Sequence, residues 1–333
     1  MTTGILPIVA GPERVRSRGS VGKWFRDHPW IWVYIGAILV WVGISVANGH
    51  INVGVIGAVF SLAPFLVLVG IGQMFVITLG NGHIDLSVPS VIVVSAFASM
   101  QVISATNGNL LLGVAVAVGI GLMASLLNSG IILGLRVPPI VATLASGLIL
   151  QSLASILAGN GGAIPNAVIS KFSHLRIAGV SALGVLCIVA ALFFGFVLHK
   201  TVFGRRNQAV GQSESAAFLS GIPVRRVILY SYLISGVLAA LAGTLLGSFS
   251  SPTLSLGDPY LLNSIAVVVL GGSLISGGRS NVLGIWGAAM FLILLDALLN
   301  TLNINVASQN IVKGALIVLV LALIGAAKES RSA

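Results

Sequence analysis

Six stretches of at least 20 residues run without a single Asp, Glu, Lys or Arg: 28–84, 86–135, 137–170, 177–199, 227–257 and 259–278. An α-helix rises about 1.5 Å per residue, so about 20 apolar residues cross a hydrocarbon core about 30 Å thick. The longest runs therefore hold two crossings each. With 57% hydrophobic and 7% charged residues, the chain reads as an all-α, polytopic integral membrane protein. Spans are expected near 31–48, 55–80, 88–104, 110–134, 139–159, 178–199, 227–249, 260–276, 282–301 and 308–326. That divides the chain into a basic N-tail (1–30), one transmembrane domain (31–327) and a short C-tail (328–333).

The basic residues orient these ten crossings, because cytoplasmic loops carry the excess of Lys and Arg. With a cytoplasmic N-terminus, the inner side receives Arg14, Arg16, Arg18, Lys23, Arg26, Arg136, Lys200, Arg205, Arg206, Arg225, Arg226, Arg279, Lys328 and Arg331. The outer side receives only Lys171 and Arg176, and Lys313 falls within the last span. An odd number of crossings would reverse every later loop and destroy the bias. Both termini are therefore expected in the cytoplasm. The net charge of +10 is then explained by helix ends facing an anionic leaflet, and no nucleic-acid partner is required. The polar leader is long for a signal peptide, although Ser45-Val46-Ala47 loosely resembles a cleavage site; an uncleaved signal anchor is the favoured reading. Cys187 is the one cysteine and sits mid-span, which excludes a disulfide within the chain and a cysteine-built metal site.

Catalytic motifs are lacking. The one Gly-Lys pair, Gly22-Lys23, is followed by Trp24 and has no glycine-rich lead-in, so no phosphate-cradling loop is present. Neither HExxH nor a Gly-x-Ser-x-Gly elbow occurs. Energy for uphill transport would have to come from an ion gradient or from another subunit.

The most informative polar stretch is the inner loop 200–226. Ser213 is suited to cap a short helix, with Glu214 at its positive end. Gly221 suits a left-handed stop, and Pro223 follows it. The pattern predicts a helix over 214–220 that needs packing to persist, since so short a helix is marginal in water. Its face of Ala216, Ala217 and Leu219 allows close approach.

This loop resembles the cytoplasmic coupling loop of the ribose-type sugar permeases of ABC importers. The matching residues are Phe203-Gly204-Arg205, Ala209-Val210-Gly211, Glu214, Ala216-Ala217 and Leu219-Ser220-Gly221-Ile222. Three further stretches match in order: Ile84-Asp85-Leu86-Ser87-Val88; Val269-Leu270-Gly271-Gly272 with Ser276-Gly277-Gly278-Arg279; and Ile311-Val312-Lys313-Gly314. The likeness covers about residues 35–325. It implies a bacterial inner-membrane permease for a monosaccharide or related polyol, dimeric with itself or with a related permease. Two cytoplasmic ATPase subunits would bind ATP-Mg, and a solute-binding protein would dock outside. Gly204, Arg205, Gly211, Glu214, Ala216, Ala217 and Gly221 would then couple to the ATPase, with Gly211 and Gly221 setting the angle of the short helix. His83, Pro89 and Leu261-Leu262-Asn263 depart from the family pattern and leave the substrate open, branched-chain amino acids and nucleosides included.

The polar residues within or beside spans carry two readings each. Gln73, Asp85, Ser87, Asn128, Asn263 and Asn300 are candidates to line or gate the pathway, yet such groups also bond helices together. Asp85 or Ser87 alternatively caps the third span. Asp296 lies six residues before the outer turn 302–307 and Lys313 six residues after it, so an ion pair at equal depth is expected. A rival of a different class, a proton-coupled carrier, would use Asp85, His83 and Asp296 as a relay. Lys171 and Arg176 on the outer loop could meet acidic groups of a docking receptor.

Overall fold

The computed structural model describes residues 30–51, 53–159, 175–177 and 180–329. The basic N-tail with its signal-anchor reading, Lys171 and Arg331 lie outside the described residues. The chain runs α1 (Ile31–Ala47), α2 (Gly54–Ile77), α3 (Val88–Ala105), α4 (Leu110–Leu135), α5 (Pro139–Gly159), β1 (Arg176–Ile177), β2 (Val180–Ser181), α6 (Ala182–Lys200), α7 (Val202–Gln212), α8 (Glu214–Leu219), α9 (Val224–Ser250), α10 (Asp258–Leu270), α11 (Val282–Thr301) and α12 (Val306–Glu329). Among the described residues the one strand pairing is the two-residue antiparallel pair β1–β2.

Among the described residues seven helices are long and apolar enough to cross a bilayer: α2, α3, α4, α5, α6, α9 and α11. Three shorter apolar helices accompany them, α1, α10 and the Val306–Leu319 part of α12. The span expected over 260–276 is corrected: α10 stops at Leu270, where Gly271-Gly272 turn the chain and Gly272 takes φ +85°. Thirteen residues rise about 20 Å, short of a hydrocarbon core by themselves.

The bundle is built around α2. Every residue from Ala63 to Ile77 is buried, as befits a helix that is apolar on all sides. Pro64 sits inside it without ending it, and its carbonyl oxygen accepts the Cys187 thiol proton at 3.3 Å. α9 packs on α2, α3 and α4. Its contact face carries Gly236, Ala240, Gly243 and Gly247, small residues that bring backbones together where burial in lipid supplies no hydrophobic drive. Gly236 meets Gly121 of α4, and Gly243 meets Ile92 of α3. α1 packs on α11 and leaves Trp32, Ile38 and Leu39 exposed.

Candidate functional site

Four turns meet at one end of the bundle. The carbonyl of Thr78, just past α2, accepts the Gly278 N–H at 2.9 Å, and the Thr78 and Ser280 hydroxyls are hydrogen-bonded. Arg225 at the head of α9 donates to the Leu133 carbonyl near the end of α4 at 2.8 Å. Asn81 Nδ2 donates to Glu214 Oε2 at 2.8 Å, tying the α2–α3 turn to α8. A cavity of 720 Å³ opens among Asn81, Gln212, Glu214, Phe218 and Arg225.

The loop 200–226 is more helical than its sequence suggested. α7 precedes α8 and was not foreseen. Thr201 caps it by accepting the Gly204 N–H at 3.2 Å, and Gly204 lies against the Val197 and Leu198 carbonyls of α6. Buried Asn207 donates to the Phe75 carbonyl at 3.1 Å and to Ser231 Oγ at 2.7 Å, which anchors α7 to α2 and α9. Arg205 is exposed and donates to the Lys200 carbonyl at 3.2 Å. The alternation of buried Gly204, Asn207 and Val210 with Arg205 and Arg206 was the available signal for this amphipathic helix.

α8 follows the expected chemistry. Ser213 Oγ accepts the Ala216 N–H at 3.3 Å. At the other end Gly221 takes φ +78°; its N–H reaches the Phe218 carbonyl and that of Ile222 the Ala217 carbonyl, both at 3.0 Å. This double bond pattern needs the left-handed residue that glycine supplies at least cost. Gly211 is also a point of close approach. A Cβ there would overlap the Thr78 carbonyl oxygen, so Gly211 is where α7 touches the α2–α3 turn. Of the predicted contact face, Ala217 points inward, whereas Ala216 is exposed. Phe218 and Leu219 are 70% and 85% exposed and form the apolar tip of α8. Phe218 was missed.

Above the turn, residues 83–87 re-enter the bundle in non-helical form. Asp85 is buried: its Oδ1 accepts the Ser87 N–H (3.1 Å) and hydroxyl (2.6 Å), and its Oδ2 accepts the Ser235 hydroxyl (2.9 Å). Asn128 donates to Ser87 Oγ at 2.8 Å and accepts from Ser146. Thr143 Oγ1 accepts the Leu86 N–H and donates to the Ile84 carbonyl, each at 3.1 Å. One carboxylate thus sits at the hub of a chain of bonds through α3, α4, α5 and α9. Ser235, Ser146 and Thr143 had no sequence signal beyond being small polar residues in spans. Asp85 does serve the N–H of Ser87, the residue ahead of α3, while Ser87 makes no side-chain cap. His83 packs edge-on to Tyr232 with Nδ1 3.2 Å from its hydroxyl.

The start of α10 comes back to this region. After α9 the segment 251–257 folds inward: Gln151 of α5 donates to the Leu254 carbonyl at 3.1 Å, and Gly257 lies against Pro89 at the head of α3. Asp258, first residue of α10, is exposed there. Both interruptions in the bundle therefore adjoin.

Other candidates fall into place separately. Gln73 is fully buried in α2 and neither amide atom has a hydrogen-bond partner among the described residues. Asn263 is buried in α10. Asn300 accepts from Gln309 at 2.7 Å, and Lys313 Nζ lies 2.7 Å from Asp296 Oδ1, so both clasp α11 to α12. Among the described residues no group of His, Cys, Asp or Glu is placed to hold a metal ion.

Residues 55–321 match a family of membrane permeases described as "Branched-chain amino acid transport system / permease component". The chain is 32% identical over 261 residues to the L-arabinose ABC transporter permease protein AraH of Azospirillum brasilense, covering 75% of this chain and 74% of the relative. It is 33% identical over 261 residues to the ribose import permease protein RbsC of Bacillus subtilis, covering 77% and 80%. To the autoinducer 2 import system permease protein LsrD of Photorhabdus temperata it is 29% identical over 275 residues, covering 80% and 81%. No solved structure matches the chain. This chain belongs to that permease family.

Proposed function

We propose that this permease forms the inner-membrane pathway through which an ATP-driven importer moves a monosaccharide or related polyol. A solute-binding protein delivers the sugar outside, and a separate ATPase that binds ATP-Mg drives the cycle inside. The substrate class rests on relatives named for L-arabinose and ribose. Ten crossings with both termini cytoplasmic, and a partner permease of the same or related sequence, complete the reading.

One observation carries it: α8 presents an apolar tip, Phe218 and Leu219, while its other end is bonded through Glu214 to the turn that leads into the Asp85 hub. A cleft in the ATPase that grips this tip would move Asn81, Thr78 and residues 83–87 together. The pathway itself is assigned to the two adjoining interruptions, 83–87 and 251–258, since non-helical backbone at membrane depth persists only where protein or a water-filled cavity surrounds it. The ion-coupled alternative is weakened at one member of its relay, because Lys313 holds Asp296.

Glu214→Lys removes the bond to Asn81 and Gly211→Trp drives the turn away from α7. Both variants are expected to insert normally and assemble with the ATPase, yet to lower sugar uptake at least about tenfold while ATP hydrolysis continues. Uptake at the wild-type rate in both would defeat the coupling assignment.

A further inference from the structure

Two cavities lie next to each other on the α1 side of the bundle. The first, of 390 Å³, is bounded by Trp30 before α1, His199 near the end of α6, Gln208 on α7, and Arg279, Ser280 and Asn281 ahead of α11. The second, of 170 Å³, is an apolar groove along α1, α2 and α11 walled by Tyr34, Ala37, Ile38, Trp41, Met290 and Leu294. The Trp30 and Tyr34 rings meet edge-on with centroids 5.9 Å apart. Tyr34 in turn donates its hydroxyl to the Leu283 carbonyl at 2.9 Å, two residues beyond Asn281. The polar cavity therefore lies beside the apolar groove, with the Trp30 and Tyr34 rings between them.

Their chemistries differ in the way the two ends of a lipid differ. Arg279 and His199 line the polar cavity, Lys200 follows His199, and the positive end of the 20-residue helix α11 adjoins it. No Asp or Glu side chain lines either cavity among the described residues. The groove wall is almost entirely apolar, and the neighbouring α1 surface exposes Trp32, Ile38 and Leu39. A soluble anion would gain nothing from the groove, and a zwitterionic lipid would bring a second, positive charge towards Arg279.

We infer that this composite cleft binds one anionic glycerophospholipid, its phosphate held between Arg279 and His199 and one acyl chain lying along the α1–α11 groove. The orientation proposed above would put it in the cytoplasmic leaflet, but binding itself does not depend on that orientation or on the sugar reading. The lipid would brace α1 and α11 next to the turn 271–281, which is bonded to Thr78.

The test uses the full chain in detergent micelles, titrated with phosphatidylglycerol, phosphatidylcholine or inorganic phosphate, with retained lipid read by native mass spectrometry and melting temperature read alongside. One saturable phosphatidylglycerol per chain, with a raised melting temperature, is expected; phosphatidylcholine and phosphate should do neither. Arg279→Gln and His199→Gln should each weaken phosphatidylglycerol at least about fivefold. Equal retention of both lipids, phosphate matching the lipid, or an unchanged Arg279→Gln titration would overturn the proposal. Should Arg279→Gln melt too early to titrate, Arg279→Lys and the wild-type lipid comparison decide it: a lysine variant that binds, with lipid selectivity intact, supports the site, and loss of selectivity in the wild type sinks it.

Discussion

Gln73 is fully buried in α2, with neither amide atom bonded among the described residues. Leaving both amide atoms unpaired in the core costs about 1–3 kcal/mol each, so a structural role would be better filled by leucine. If the amide instead meets sugar hydroxyls when the pathway opens, Gln73→Leu should keep or raise the melting temperature while cutting uptake at least about tenfold. Lower stability with normal uptake would return Gln73 to the scaffold.

At the scale of elements, the proposed pathway runs through the two interrupted segments. Ser87 bonds to Asn128 and Asn128 to Ser146, each seven residues inside the inner end of its helix, so the head of α3 lies about 10 Å deep. Gly257 rests on Pro89, which brings Asp258 to comparable depth. A carboxylate facing lipid there would cost about 2.5–3.5 kcal/mol; facing a wet pathway between permease subunits it costs far less and can accept sugar hydroxyl protons. Asp258→Asn should lower uptake about tenfold or more with insertion, melting and ATPase assembly unchanged. A variant transporting normally would place Asp258 outside the path. The capping chemistry of α8 was legible because Ser213, Gly221 and Pro223 act locally, and the depth arithmetic that set Asp296 opposite Lys313 was legible because a helical hairpin is nearly a one-dimensional problem. α7 was obscured by its two arginines, which read as a connector. Asp85, Ser87 and Asn128 stood out as polar residues near spans, but the hub that joins them did not, because Ser146 and Ser235 lie 61 and 150 residues from Asp85 and look like any serine in a span.

For the whole molecule, charge and geometry bear on the same question by separate routes. The Lys and Arg bias assigns the turns after α2, α4, α6 and α10 to one side, and these are the turns joined by the Thr78–Gly278, Asn81–Glu214 and Arg225–Leu133 contacts. Parity is the delicate step, because α10 rises only about 20 Å. The ten-crossing proposal needs the segment 251–257, irregular over 251–253 and turned over 254–257, to supply the remaining ~10 Å of a core about 30 Å thick. A chain that turned back at α10 instead would put α11 and α12 in reverse. Single cysteines in a Cys187→Ala background separate the two arrangements. Ser215→Cys on α8 and Ser276→Cys before α11 should react with an impermeant maleimide only from the cytoplasmic side, and Asn107→Cys and Asn303→Cys only from the outside; all four positions are exposed. Labelling of position 276 from the side opposite to 215 would break the ten-crossing arrangement, and with it the common surface through which an ATPase could move both interrupted segments at once.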